Sequence, residues 1–387
     1  MNIVMTVSNA YTHDPRVRRE AEALVQAGHK VNVIAWDETG EFPEREIISG
    51  VCITRIRNTL FMNLARLGLI KLILWRREAL KMLMHSEGSW LHGVNAIHCH
   101  DLSSLPIGVK FKNINGKIPL IYDAHEIWGY MVSFKMPWWK RYIKMEKRLV
   151  QSVDVMLTVS EPLHDYFEKF FGNENYPDLC QKPIFIIKNC KEYNGESYQE
   201  PTERTFTLFY AGGLSEQRQI LEMIDAVGNI EGLRFIVAGS GTRKYNQKIY
   251  NHCSKVSNAF FIGKIPPEQV IPMTKECHAT IFLGNETLNM TMGLPNKLFE
   301  SMVSGRPFIS TRGTYRAEYS VKRGFGVPVS DTKELVIELK KLIADPERCR
   351  QMGMNAIECA KEENWENEKK KLITIYGYLQ KWDGRWI

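Results

Sequence analysis

The chain has 387 residues, 51 Lys and Arg against 44 Asp and Glu, 44% hydrophobic and 25% charged residues, and a formal net charge of +7. That length accommodates two domains, and the globular-average composition excludes a disordered or fibrous chain. Eight scattered cysteines with no C-x-x-C pair exclude a zinc ribbon or disulfide framework and point to a reducing compartment. In chain order, Ile3–Val7 reads as a strand, with Asp14 and Pro15 as N-cap and first residue of a helix that ends at Gly28. Strands follow at Lys30–Trp36, Val51–Ile56, Ala96–Cys99, Ile118–Tyr122, Val153–Val159 and Pro183–Ile187, with helical segments between most of them. Lys191 to Arg204 is polar, contains Gly and Pro and lacks an apolar period, so it reads as an interdomain linker. The alternation resumes with strands at Thr205–Tyr210, Leu233–Ala238, Ala259–Ile262, Ala279–Leu283 and Pro307–Ser310. A helix at Thr332–Ala344 and a long helical tail from Pro346 towards Lys381 complete it.

Such alternation predicts an α/β chain of two doubly wound, parallel-sheet, Rossmann-like domains that face a central cleft, residues 1–190 and 205–365. The last stretch, 366–387, is expected to pack back on the first domain. No charged leader precedes the first strand, and the longest apolar stretch, Leu60 to Leu74, is broken by Arg66 and Lys71. It is shorter than the roughly 20 residues that span a bilayer, so a cytoplasmic protein is expected. The positive charge is concentrated in residues 61–91 (net +3) and 131–150 (net +5). The first patch carries Leu69, Ile70, Leu72, Ile73, Leu74 and Trp75, the second Phe134, Trp138 and Trp139. Basic residues beside aromatics suit peripheral contact with an anionic membrane; helices with solvated edges are the plainer reading. Nucleic acid is not expected as a partner.

No G-x-x-x-x-G-K-[ST] occurs, and no complete G-x-G-x-x-G follows the first strand. The eleven aspartates include no Asp-x-Asp pair, and His98-Cys99-His100-Asp101 lacks the further ligands of a metal site, so no metal or other cofactor is expected. Three stretches of the second half do fit an anionic ligand. Gly212-Gly213 follows a strand, and Arg218 opens the next helix, where dipole and guanidinium favour phosphate. Gly239-Ser240-Gly241 and Gly263-Lys264-Ile265 are strand-end loops placed to hold a base and ribose with backbone groups. In Gly293-Leu294-Pro295-Asn296-Lys297-Leu298-Phe299-Glu300, Lys297 lies in a helix's first turn, where the dipole disfavours it unless an anion offsets the charge. Glu300 is one turn later on the same face.

With these motifs in order and spacing, the chain resembles the group 1, family 4 glycosyltransferases of the GT-B fold over nearly its whole length. Asp14 to Arg19 with Ala27 to Val31 resembles the family's opening loop and helix, and His100-Asp101, Tyr122 to Glu126 and Val159-Ser160-Glu161 its first-domain strand ends. Gly212-Gly213 with Arg218, Ala238 to Gly241, and Pro295-Asn296-Lys297 with Glu300 and Gly305-Arg306-Pro307 resemble its second domain. The resemblance implies that Arg218 and Lys297 bind the diphosphate, Glu300 the donor ribose, and His125 the donor sugar beside the anomeric centre. It implies that Gly239, Gly241, Lys264 and Ile265 border the base, that Gly212 and Gly213 line the cleft floor, and that Asn296 belongs to the donor site. Asp14, Arg16, His100 and Asp101 would face the acceptor. Many members carry a second Glu eight residues before the ribose-binding one; here that position is Met292, leaving sugar recognition to the backbone of Met292, Gly293 and Leu294. Gln219 also stands where the family often has Gly.

The expected function is therefore a retaining, metal-independent transfer of a sugar from a nucleoside diphosphate sugar, with UDP as the expected carrier. The expected acceptor is a hydroxyl on a lipid-linked or other surface-glycan intermediate, in polysaccharide biosynthesis. Two alternatives share these residues: a nucleotide-sugar epimerase, which needs no acceptor, and a non-catalytic nucleotide-sugar-binding protein. Sugar, base, linkage and oligomeric state are not written in the sequence.

Overall fold

The computed structural model describes residues 1–58, 68–85, 91–116, 118–131, 139–171, 182–228, 230–284 and 287–381, with side chains at all of these except 131, 139, 170 and 171. Phe61, Arg66, Phe134, Lys135 and Trp138 of the two basic patches lie outside the described residues. Contacts divide the chain into one unit of residues 1–188 with 369–387 and a second of 189–368.

The first unit is built on a sheet of β1 (Asn2–Val7), β2 (Lys30–Asp37), β3 (Arg45–Ile48), β4 (Val51–Arg57), β5 (Ala96–His100), β6 (Leu120–Ala124), β7 (Val155–Thr158) and β8 (Ile184–Ile186), in the order β3-β4-β2-β1-β5-β6-β7-β8. Every pair is parallel except β3–β4. The central strands are covered on both faces, which is why β1 is buried from Ile3 to Val7 and apolar there except for Thr6, rather than alternating. β3 is absent from the sequence expectation. It is an edge strand with Ile47 63% exposed, so no buried face imposes a period, and it turns back through Ser49 and Gly50, both at positive φ.

Asp14 caps α1 (Pro15–Gln26), its carboxylate accepting from the backbone N–H groups of Arg16 and Val17 at 3.2 Å each. α2 (Gly68–Met84), α3 (Asp101–Asn115), the short α4 (Trp128–Met131), α5 (Trp139–Val150) and α6 (Glu161–Phe171) complete the chain to β8. Trp75 does not join an exposed basic patch. Its ring is fully buried, stacks on Trp36 with centroids 5.8 Å apart and faces the Ala35 carbonyl, because β2 and α2 exclude water there.

The second unit carries a sheet of β9 (Phe206–Gly213), β10 (Leu233–Ser240), β11 (Ala259–Gly263), β12 (Ala279–Phe282), β13 (Phe308–Thr311) and β14 (Gly326–Val329), all parallel, in the order β11-β10-β9-β12-β13-β14. β14 was not expected, because Pro328 interrupts it; it is the edge strand, where a missing N–H is tolerated. The helices are α7 (Ile220–Val227), α8 (Arg243–Cys253), α9 (Pro267–Glu276), α10 (Leu288–Met292), α11 (Asn296–Ser304), α12 (Tyr315–Lys322), α13 (Thr332–Ala344) and α14 (Pro346–Glu362); α15 (Trp365–Gln380) follows, its residues from 369 on belonging to the first unit.

The expected single helical tail is two helices. Glu363 leaves the helical region, and Asn364 caps α15 by accepting from the Asn367 N–H at 3.1 Å. Residues 191–204 are irregular, as a linker would be, yet they are tied into the second unit. Arg306, 1% exposed, donates to the Gln199 and Gly305 carbonyls at 2.9 Å and to that of Lys275. Its charge thereby rests against the C-terminal ends of α9 and α11. Among the described residues no helix is long and apolar enough to cross a membrane.

Candidate active site

In the second unit the strand ends of β9 and β12 and the first turn of α11 bring together a set of cations. Lys297 extends over the rings of Tyr210 and Phe282, its Nζ 5.2 and 5.3 Å from their centroids. Arg218 lies over the same Phe282 ring at 4.4 Å and Arg316, from α12, at 4.9 Å. Gly212 makes the arrangement possible, since a Cβ there would collide with the Lys297 ammonium. Burial, with Arg218 and Lys191 adding to it, pushes Lys297 down to about 8 against the pull of Glu300. Glu300 is itself held by Lys191, 3.1 Å away, which also donates to Asn296 Oδ1 at 3.2 Å.

Three cations around one ring are at most about 10 Å apart, a repulsion of about 2 kcal/mol per pair at an effective dielectric constant near 20. An anion placed among them removes that cost. Arg316 has no signal in the sequence, because nothing in Tyr315-Arg316-Ala317-Glu318 distinguishes it from a surface helix. Lys191 was assigned to the linker.

The remaining second-unit residues are placed as follows. Gly239 (φ 138°) and Gly241 stand where a Cβ would strike the Gly212 and Leu214 carbonyls, so backbone packing between two loops requires glycine there. Gly213 ends β9, and its carbonyl accepts from the Tyr210 hydroxyl at 2.6 Å. Lys264 is exposed, and Ile265 packs against Phe209, Ile236 and Ala238. Met292 ends α10, Gly293 is its C-cap, and the Leu294 side chain is in the core. Gln219 has φ 50°, ψ 34°, the left-handed conformation that glycine takes at little cost.

In the first unit a buried polar cluster surrounds the ends of β5 and β6. Asp123 receives a bidentate grip from Arg16, with Nε at 3.0 Å and Nη2 at 2.8 Å, and accepts from His100 Nδ1 at 3.2 Å and His125 Nε2 at 2.7 Å. Arg16 also donates to the Ile187 carbonyl at 2.7 Å. The other face of His125 meets Asp101, whose carboxylate accepts from the His125 backbone N–H at 3.2 Å and lies 3.4 Å from Nδ1. Asp101 holds φ 60°, a strained value for a residue with a side chain. Burial alone would raise Asp123, but the Arg16 guanidinium and the His125 ring hold it well below the usual carboxylate range.

Of the four residues expected to face an acceptor, three are otherwise occupied. Asp14 caps α1 and accepts from Asn9 at 2.9 Å. Arg16 and His100 are 4% and 1% exposed and support Asp123, because a buried carboxylate requires partners. Asp101 and His125 keep some side-chain exposure, 26% and 17%. Asp123, the hub, stands within the Tyr122–Glu126 motif but was passed over for its neighbour His125.

Glu20, His98, His100 and Asp123 each offer a potential ligand atom, all within 4.8 Å of one another. The positive charge of that group is already supplied by Arg16, whose Nη2 lies 3.1 Å from Glu20 Oε1. A second such group, His164, Asp165 and Glu168, lies on the outer side of α6.

The sequence pattern described as Glycosyltransferase Family 4 matches residues 16–189, and that described as Glycosyl transferases group 1 matches residues 205–345. The chain belongs to the group 1, family 4 glycosyltransferases. No curated protein sequence matches it. This glycosyltransferase is similar in structure to sucrose-phosphate synthase from Thermosynechococcus elongatus, with TM-score 0.79, 15% identity, and 98% of this chain and 99% of that chain covered. Anabaena HepE in complex with UDP-glucose gives TM-score 0.73 at 12% identity, covering 98% and 100%. The UDP-forming α,α-trehalose-phosphate synthase from Burkholderia xenovorans, in complex with glucose-6-phosphate, gives 0.69 at 11%, covering 98% and 100%. At these identities the likeness shows the fold, which is GT-B.

Proposed function

We propose that this glycosyltransferase transfers a sugar from a UDP-sugar to an acceptor hydroxyl with retention of configuration and without a resident metal. The observation that carries the reading is the Lys297 and Arg218 pair over Phe282, which fits a diphosphate, with the fully buried Arg316, bonded to the Met290 carbonyl, adding positive charge at the same ring. Solved relatives of the same fold in complex with UDP and UDP-glucose support UDP as the carrier. In the proposed step the bond between the anomeric carbon and the β-phosphate oxygen breaks, and its electron pair goes to the diphosphate. The acceptor oxygen bonds the same face of that carbon, and its proton passes to the departing phosphate oxygen. Arg218 and Lys297 stabilise the charge that builds on the leaving group, and Glu300 holds the ribose.

The acceptor in this reading is a lipid-linked or other surface-glycan intermediate in polysaccharide biosynthesis, met at the inner membrane face by the first unit. Two features support that placement: α2 exposes Leu69, Ile70 and Ile73, and α5 exposes Lys140, Arg141, Lys144 and Arg148 while its one acid, Glu146, turns inward. Both helices pack on α3. Each Lys or Arg near an anionic surface contributes about 1 kcal/mol.

The test is calorimetry and thermal shift with UDP, GDP, ADP, CMP and their sugar conjugates in the presence of EDTA, followed by acceptor screening. UDP at 100 times its Kd is expected to stabilise the protein by about 2.7 kcal/mol. No response to any nucleotide by folded protein overturns the reading. Donor turnover without acceptor identifies an epimerase instead. Co-sedimentation with phosphatidylserine vesicles, and its loss in Lys144→Glu/Arg148→Glu, tests the membrane contact; equal binding to phosphatidylcholine refutes it.

A further inference from the structure

We propose that His125 works as a fixed imidazolium, gripped at both ring nitrogens by the positioning residues Asp101 and Asp123, and takes no part as a proton acceptor. The inference rests on the reading of the chain as a glycosyltransferase only for what the charge is used for.

The geometry leaves the ring few alternatives. Nε2 is 2.7 Å from Asp123 Oδ2 and Nδ1 3.4 Å from Asp101 Oδ2. A carboxylate can only accept, so a ring facing one on each side is best served by a proton on each nitrogen. Burial opposes that charge, but the two carboxylates outweigh it and push His125 up to about 10.

The charged neighbours act in both directions: burial, with Asp123 adding to it, raises the Asp101 carboxyl, while the His125 charge lowers it. Arg16 repels His125 but keeps Asp123 ionised, and burial raises the Glu20 carboxyl towards neutrality. His98 and His100 stack with centroids 4.3 Å apart, and burial drives His98 well below its usual range. His100 then donates from Nδ1 to Asp123, while His98 Nδ1 is held at 2.9 Å by the Tyr376 hydroxyl of α15. Asp123 is thus fixed from behind by a ladder running Tyr376, His98, His100, and from the side by Arg16.

The chemical consequence bears on the proposed transfer. An imidazolium with Nε2 bonded to Asp123 and Nδ1 facing Asp101 is a fixed positive charge at the ends of β5 and β6, and has no lone pair to take a proton. The acceptor's proton must leave by another route, which agrees with its passing to the departing phosphate. Asp101, carried on strained backbone, completes the grip and is a positioning residue for His125.

The experiment is a pH titration of the full chain labelled with 13C-histidine, following the ring resonances by NMR, with His125 assigned as the signal lost in His125→Gln. The expected result is an imidazolium-type signal that does not move between pH 5.5 and 8.5. In Asp101→Asn, where one of the two carboxylates is gone, the midpoint is expected to fall by roughly 1–3 pH units and enter the observable range. A His125 signal that titrates between pH 5.5 and 7.5 in the unaltered protein overturns the proposal, as does an Asp101→Asn spectrum identical to the wild type. If His125→Gln does not fold, the signal that begins to move in Asp101→Asn provides the assignment. Failure of UDP to bind would remove the glycosyl-transfer reading and leave this titration unchanged, so the two are separable.

Discussion

Lys297→Met is the substitution that most directly separates a ligand site from a structural one. The side chain is half-buried, over Tyr210 and Phe282, with Arg218 and Arg316 against the same Phe282 ring. Its ammonium is held down to about 8, so below that pH the folded protein bears an unfavourable charge that the unfolded chain does not. The full displacement corresponds to about 3 kcal/mol, and screening of a half-buried group reduces it to about 1–2 kcal/mol.

The sign follows from proton linkage: the penalty is complete below pH 8 and fades as pH rises towards the unfolded value near 10.4. Lys297→Met is therefore expected to melt above the wild type at pH 7, by about 2–4 °C per kcal/mol for a unit of this size, with the gap narrowing at pH 9.5. The same variant should bind UDP roughly 10- to 150-fold more weakly, the loss of one hydrogen bond to a charged group worth about 1.5–3 kcal/mol. Differential scanning calorimetry and isothermal titration at both pH values measure the two effects. A variant that melts below the wild type at pH 7, or that keeps its UDP affinity, refutes the assignment.

Three other outcomes are expected. Gly212→Ala should weaken UDP binding, by no more than Lys297→Met does, because the new Cβ displaces the Lys297 ammonium; unchanged calorimetric affinity would contradict this. Glu146, buried and bonded to the Tyr122 hydroxyl, is pushed up to about 8 by burial, so its contribution to stability is complete below about pH 4.5 and is lost as pH rises through 8. Glu146→Gln should flatten that fall in urea melts; an unchanged pH slope would show that Glu146 is ionised in the fold. Tyr376→Phe should cost about 1–3 kcal/mol in the same melts by stripping His98 Nδ1 of its partner, and a cost near zero would remove Tyr376 from the ladder.

The sequence was legible where one local rule decides the outcome. Asp14-Pro15 and Gly28 bound α1, the apolar runs became the interior parallel strands, and Lys297 and Glu300 stand in the first two turns of α11. Such features depend on neighbours a few residues away. β3 and β14 were missed because they are edge strands, where exposure or a proline hides the pattern.

Side-chain roles across the sheet were less readable. Glycines 239 and 241, read for a ligand, are required first by the Gly212 and Leu214 carbonyls. The resemblance implied that Arg16 and His100 face an acceptor; in the structure they are buried and donate to Asp123. The sequence by itself determined the alternation of elements and the ends of α1. Only the tertiary structure decided which charges meet: Arg218, Lys297 and Arg316 on one ring, and Arg16, Asp101, Asp123 and Tyr376 behind His125. Those residues are tens to hundreds of positions apart, and a charge's energy depends on its distance from other charges and from water, which local sequence does not contain.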